Sequence, residues 1–430
     1  VFEGLATFAE VFLDDALILA SDNMFVAHRV EIAMAGEHWL SIRFRALKRA
    51  LEGRKGRARW RPRMIQPSEL RFARTSALGH MPGFAPPAPI VGPWRSIRLH
   101  SCEMPQIIAA RLSARPDVAG GVIEVEVEFS REPASPLMVS CEGVSSDLAP
   151  VGGNRHAATL RLPSVERWFP HTHGDPRLYE VIVAAGDVAT PLGRVGFRDV
   201  EIDRGGDGQG FALRVNGVPI FSRGAVWTPL NTVSLQNDAD ALARTIGLAR
   251  EAGVNMLRVG ATGVYETNDF YRACDAAGIM VWQDFMFSNF DYPATDAEFT
   301  ASVEQEACQF LERTQVSPSI TILCGGNEVY QQAAMMGVAE ASWRSPLFED
   351  ILPRICAQVR PDAAYVGNSP SGGALPFHAD AGVSHYYGVG AYRRPLEDAR
   401  RANVRFASEC LGFANVPETR ALMRDFGSGP

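Results

Sequence analysis

Ser319-Ile320-Thr321-Ile322-Leu323-Cys324-Gly325-Gly326-Asn327-Glu328 is the stretch on which the fold reading turns. Its apolar and β-branched run shows no alternation, as in a strand buried on both faces of a parallel sheet covered by helices. The run stops at two glycines, an amide and a carboxylate. Polar groups at a strand end are what a β/α barrel delivers to the mouth of its site. A second carboxylate repeats the setting, where Val404-Arg405-Phe406-Ala407-Ser408 runs into Glu409.

Outward from these strands, helical and strand patterns alternate, the grammar of parallel β/α units. Helix 238–252 leads to strand 255–259, helix 269–277 to strand 279–283, and helix 300–314 to the Glu328 strand. Helix 348–359 leads to strand 364–368, followed by strand 383–387, helix 395–402, strand 405–409 and helix 418–426. With strand 223–227 first, there are about seven strands where a (β/α)8 barrel has eight. The chain also begins at Val1 inside a strand pattern, so truncation at both ends is expected. Upstream, short strands and Gly/Pro punctuation read as two β-sandwiches. The clearest strand is Gly121-Val122-Ile123-Glu124-Val125-Glu126-Val127-Glu128-Phe129, with a period of two. The predicted organisation is a galactose-binding-like jelly-roll sandwich at 1–102, an immunoglobulin-like sandwich at 103–202 and the barrel at 203–430, a multidomain chain of all-β and α/β parts.

Composition narrows the function. The 430 residues are 46% hydrophobic and 21% charged, which is globular, and the net charge of -7 argues against a nucleic-acid binder. The one basic run, Arg43 to Arg63, has few aromatics and reads as a solvated loop. Seven scattered cysteines without a Cys-x-x-Cys fit neither a disulfide framework nor a zinc site. No apolar run reaches membrane-spanning length. The expected compartment is cytoplasmic, with no membrane or nucleic-acid partner.

Trp227, Arg258, Asp284, Asn327, Glu328, His385, Tyr386 and Glu409 cluster at or just past the strand ends. Two strand-end glutamates in this grammar point to glycoside hydrolysis, which uses one carboxyl as acid/base and another as nucleophile. Glu328 fits the acid, because a desolvated site favours a protonated carboxyl. Glu409 fits the nucleophile, kept ionised by Arg258 or Tyr386. Asn327 is suited to a sugar 2-hydroxyl. Trp227 and Trp282 are sugar platforms or barrel core. A single such glutamate reads more readily as a capping or salt-bridged residue; the pair together reverses that.

Several runs carry a family resemblance: Arg258-Val259-Gly260-Ala261-Thr262-Gly263-Val264-Tyr265-Glu266, Phe270-Tyr271-Arg272-Ala273-Cys274-Asp275-Ala276-Ala277-Gly278, Val281-Trp282-Gln283-Asp284-Phe285-Met286-Phe287, Gly325-Gly326-Asn327-Glu328 and Phe406-Ala407-Ser408-Glu409. With Phe2-Glu3-Gly4-Leu5, Asn23-Met24-Phe25 and Trp168-Phe169-Pro170 they resemble the β-mannosidases of glycoside hydrolase family 2. The resemblance implies Glu328 as acid/base, Glu409 as nucleophile, and contact of Asn327 and Arg258 with the sugar or the nucleophile; Trp227, Tyr386, His385, Tyr265, Asp284 and Trp282 are the further substrate-site candidates. It implies a retaining exo-β-glycosidase acting on a carbohydrate, with no metal and no cofactor. Three departures bear on the sugar. The family carries a tryptophan at Gly260, a Gly-Trp-Asp-Trp-like loop at Gly83-Phe84-Ala85-Pro86, and an aspartate at Asn231. The alternatives are a β-glucosaminide, β-galactoside or β-glucuronide specificity, or a non-catalytic carbohydrate-binding homologue.

Other motifs are weaker. His171-Thr172-His173 has metal-pair spacing but no further ligand nearby and reads as a turn. Gly367-Asn368-Ser369-Pro370-Ser371-Gly372 lacks the spacing of a nucleophile elbow. Gly205-Gly206-Asp207-Gly208-Gln209-Gly210 lacks the Lys and helix of a phosphate cradle.

Overall fold

The computed structural model describes residues 1–430 apart from 55, 83–84, 101–104, 119, 413–417 and 428–430. The first region centres on strand Ala9–Leu13, flanked antiparallel by Ala16–Ser21 and Leu40–Phe44. Leu5–Ala6 pairs with Gly92–Pro93, tying the two ends of this region together.

The second region is two four-stranded antiparallel sheets packed face to face. Strand Gly121–Phe129 shows why: Ile123, Val125, Val127 and Phe129 are buried, while Glu124, Glu126 and Glu128 alternate to the other face. The buried set meets Leu137, Val139, Val181 and Val183 from the opposite sheet.

A three-stranded antiparallel connector, Val200–Asp203, Ala212–Val215 and Val218–Ile220, leads into the β/α region. Five strands then run parallel and in chain order: Gly224–Trp227, Met256–Val259, Met280–Asp284, Ile320–Cys324 and Ala364–Val366. Backbone bonds from Ser371 and Gly372 to the Val383 carbonyl continue to Val383–Tyr386, which pairs in parallel with Phe406–Cys410. The strands fall within one or two residues of the sequence-predicted positions.

The middle strands Met256–Val259, Met280–Asp284 and Ile320–Cys324 are buried on both faces, with different neighbours on each. Met256, Met280, Trp282, Ile322, Cys324, Val366 and Val383 form an inner core, closed below by Trp168 and Phe211. Leu257, Val259, Val281, Ile320 and Leu323 pack outward against helices. Trp282 of the third strand stacks on Phe406 of the seventh, ring centroids 5.5 Å apart, so the strands curl far enough for these two to touch across the interior. Asp238 and Asp296 cap helices Ala239–Glu251 and Ala297–Arg313 through their side chains. Among the described residues no helix is long and apolar enough to cross a membrane.

One expectation changes and one helix is added. The basic run is only partly a solvated loop. Residues Leu47–Leu51 form a short helix, and Arg59 binds Asp291 of the β/α region at 2.5 Å. A buried carboxylate requires such a partner, and Arg71 serves the same aspartate. Helix Val329–Met335, directly after Glu328, had no capping signal in the sequence. The Gly83-Phe84 part of the loop noted above lies outside the described residues.

The first region is fastened to the β/α region by a buried ion pair. Arg74 grips Glu306 with two bonds of 2.7 and 2.8 Å, and Asn23 and Tyr265 donate to the same carboxylate. Both side chains are almost fully buried, 2% and 1% exposed. Replacing Glu306 by Ala leaves Arg74 buried without its counterion, at a cost of about 3–5 kcal/mol. Urea unfolding of Glu306→Ala should show a correspondingly lower midpoint; a change below about 1 kcal/mol would mean the pair does not join the regions.

Candidate active site

The strand Ile320–Cys324 ends against its neighbours too closely for side chains at the next two positions. A Cβ on Gly325 would sit 2.3 Å from the Gly367 carbonyl oxygen, and one on Gly326 would sit 3.0 Å from that of Phe287. The glycines let the backbone pass, and Asn327 and Glu328 follow at the open end. Glu328 takes a left-handed conformation with φ 53° and stands at the N-terminus of helix Val329–Met335. Its backbone N–H donates to Ser369 and its carbonyl accepts from Gln332, so both neighbours hold the turn. A non-glycine residue in this region is strained by about 1–3 kcal/mol, a cost met most often at functional sites.

Three side chains fix the Glu328 carboxyl. Asn289 Nδ2 donates to Oε2 at 2.9 Å, Gln331 Nε2 to Oε1 at 2.9 Å, and His385 Nδ1 stands 3.0 Å from Oε1. Asn289 is itself held by the first region, since Trp60 Nε1 donates to its carbonyl at 2.8 Å.

Glu409 lies across from it. Arg258 Nη1 donates to Oε1 at 2.6 Å, and the Tyr387 hydroxyl donates to Oε2. His385 Nδ1 is 3.4 Å from that same Oε2. One oxygen of Glu328, one of Glu409 and a ring nitrogen of His385 all lie within 4.8 Å of one another. This trio is also where the described residues group three donors suited to a metal ion. On its other side, His385 Nε2 stands 2.9 Å from Ser369 Oγ. Burial opposes charge on Glu409, but His385, Arg258 and Tyr387 together outweigh it and hold the pKa below the usual 4.5.

Arg258 joins the parts. Nη2 donates to Asp284 Oδ2 at 2.7 Å and to Asn327 Oδ1 at 2.8 Å. Asn327 thereby turns its amide nitrogen away from the arginine. Asp284 is fully buried and also accepts from Trp282 Nε1 and the Ala261 N–H.

The structure thus brings together Glu328, Glu409, Arg258, Asn327 and His385, and separates the other candidates. Asp284 anchors Arg258 from below and is sealed from solvent. Trp282 is interior core. Trp227 pairs in register with outward-facing Val259, packs on Phe270, and gives its N–H to Glu266. Tyr265 faces the helices, stacked on Phe310 and bonded to Glu306. Tyr386 turns away and donates to Asp398. The reason is parity: Val383 and His385 point inward, so the next inward residue is Tyr387. His171 bonds the Val254 carbonyl and His173 bonds Thr172, in a packed turn. Sequence reasoning missed Tyr387, which strand alternation would have found, and Asn289 and Trp60, for which no local signal existed.

Residues 1–95 match the family profile described as glycosyl hydrolase 2 galactose-binding domain-like. Beta-mannosidase B of Emericella nidulans is 32% identical over 429 residues, covering 90% of this chain and 50% of its relative. The chain spans about half the length of the curated relatives it matches. Among solved structures, a beta-D-mannosidase from Dictyoglomus thermophilum superposes with a TM-score of 0.86 at 27% identity, over 99% of this chain and 55% of that one. The exo-chitosanase CsxA of Amycolatopsis orientalis shares the fold, with a TM-score of 0.61 at 15% identity over 90% of this chain and 45% of that one.

The chain resembles the β-mannosidases of glycoside hydrolase family 2, and its first 95 residues match that family's galactose-binding-like domain. Its departures from the family pattern now have places. At Gly260 an added Cβ would meet only Val226, at 3.7 Å, so a side chain could begin there without a clash. Asn231 folds back on its own turn, accepting from the Val233 and Ser234 N–H groups.

Because its pKa is depressed on folding, Glu409 contributes stability that is complete above the unfolded value and is lost as pH falls through the folded one. Tyr387→Phe removes one donor, so the Glu409 titration should move upward and that loss should begin at higher pH. Carbon NMR of labelled glutamate in wild type and variant checks this; an unmoved Glu409 would show that the phenol does not support the charge.

Proposed function

We propose that the chain carries the catalytic pair of a retaining exo-β-glycosidase, β-mannosidase-like, acting on a terminal β-linked sugar. The observation that carries this reading is the approach of Glu328 and Glu409 to within 4.8 Å, oxygen to oxygen, with His385 beside both. An inverting pair needs about 6.5–9.5 Å for an intervening water, whereas a retaining pair stands about 5–5.5 Å apart. On this reading the parallel strands are seven of the eight in a (β/α)8 barrel, preceded by a galactose-binding-like and an immunoglobulin-like sandwich.

In the first step a Glu409 carboxylate oxygen attacks the anomeric carbon as the glycosidic C–O bond breaks, and Glu328 gives its proton to the departing oxygen. Arg258 and Tyr387 keep Glu409 ionised and aimed. In the second step Glu328 takes a proton from water, whose oxygen displaces Glu409 from the sugar with a second inversion. The two inversions retain configuration. Asn327, turned by Arg258, offers its amide to the sugar.

Glu409→Gln should abolish turnover. Glu328→Ala should keep slow cleavage of aryl glycosides with good leaving groups, which need little protonation. Equal loss in both variants on dinitrophenyl glycosides, or a product that first appears by proton NMR as the opposite anomer, would contradict the assignment.

The absence of a side chain at Gly260 favours a relaxed sugar preference, because a missing aromatic wall removes stacking area. On a panel of aryl β-glycosides, rates for β-mannoside, β-glucoside, β-galactoside and β-glucosaminide should lie within about a hundred-fold of one another. A far larger preference for mannoside would show that position 260 does not set the specificity.

A further inference from the structure

A cleft of about 880 Å³ lies where the first region, the second region and the β/α region meet, and neither Glu328 nor Glu409 lines it. That volume falls within the roughly 300–1,000 Å³ of small-molecule sites. Four acids and four arginines line it, and their pairing can be followed one by one. Glu3 pairs with Arg98 at 3.2 Å and Asp269 with Arg272 at 3.0 Å. Glu312 pairs at 2.5 Å with Arg111, which stands outside the lining. Glu266 accepts from Trp227 Nε1 at 2.8 Å and Asn237 Nδ2 at 3.1 Å.

Arg95 and Arg313 remain. Among the described residues neither forms an ion pair with a carboxylate, whereas the buried Arg74, Arg258 and Arg360 each do. Arg95 lies over the Trp94 ring, 4.5 Å from its centroid, and gives one nitrogen to the Tyr265 and Glu266 carbonyls at 2.6 and 3.2 Å. Its Nε is buried with no partner. Arg313 lies over Phe310 and bonds the Asn268 side chain at 2.6 Å. Burial, and then the charge of Arg313, push the Arg95 pKa down to about 9. Asn237 Oδ1 and Thr267 Oγ1, on the same wall, are buried without partners as well. Two like charges facing one cavity repel each other, and planar guanidinium groups bind carboxylate or phosphate oxygens in pairs.

We infer that this cleft is a binding site for a small oxyanion, the carboxylate or phosphate group of a small molecule, held between Arg95 and Arg313. Glu3 and Glu266 act on both arginines only from a distance; the anion supplies the direct partner they lack, and the rest of the molecule meets Thr267 and Asn237.

Calorimetric titration of the full chain with inorganic phosphate and, separately, with acetate tests the site at fixed ionic strength. Saturable binding of at least one anion is expected, and the tighter of the two tells a phosphate ligand from a carboxylate. Arg313→Gln should weaken it about ten-fold or more, the loss of one charge-assisted contact. Arg354→Gln, which removes a surface partner of Glu304, should leave it unchanged. Arg313→Lys keeps the charge without the planar fork and should fall between wild type and Arg313→Gln. Absence of saturable binding by wild type for both anions would overturn the proposal, as would binding that Arg313→Gln does not weaken.

Discussion

One buried cation organises the mouth of the β/α region. Arg258, 4% exposed, has lost its water and must be repaid in hydrogen bonds and opposite charge. Asp284 supplies the first, from a neighbouring strand and wholly inside the protein. Glu409 and Asn327 supply the rest, from strands that only a curled sheet can bring within reach. The geometry of three strand ends is thereby set by one guanidinium. The same contact keeps Glu409 charged despite its burial, so the demand that stabilises the arginine also prepares the carboxylate.

The second constraint comes from outside the β/α region. Asn289, which donates to Glu328, is reached by Trp60, and Asp291 two residues on is reached by Arg59 and Arg71. The first region therefore forms part of the wall beside Glu328. Its firm seat depends on Arg74 and Glu306, a pair with several bonds of good geometry. A β-rich region that could be taken for an accessory reaches the neighbours of Glu328 through Trp60, Arg59 and Arg71.

Much of this was legible in the sequence, and the boundary of legibility has a physical cause. A strand buried on both faces must be continuously apolar, so Ile320–Cys324 announces itself, and a carboxylate at its end stands out. The alternation of Gly121–Phe129 is as plain. Parity within a short strand is harder, because Tyr386 and Tyr387 are adjacent and chemically alike; only the inward positions of Val383 and His385 choose between them. Trp227, Trp282, Asp284 and Tyr265 carry side chains suited to a sugar, yet each is consumed by a packing or pairing demand that sequence does not display. Contacts between distant segments, such as Trp60 with Asn289 or Arg59 with Asp291, leave no local pattern at all.

The central claim is that the charge held by Arg258 and Tyr387 makes Glu409 the nucleophile and leaves Glu328 as acid and base. An activated 2-deoxy-2-fluoro glycoside of a sugar the enzyme accepts tests it most directly, since the fluorine slows both formation and release of a covalent glycosyl-enzyme while the good leaving group restores formation alone. Peptide mapping by mass spectrometry should find the added sugar on Glu409. A sugar on Glu328, or turnover with no covalent species at any time, would contradict the account.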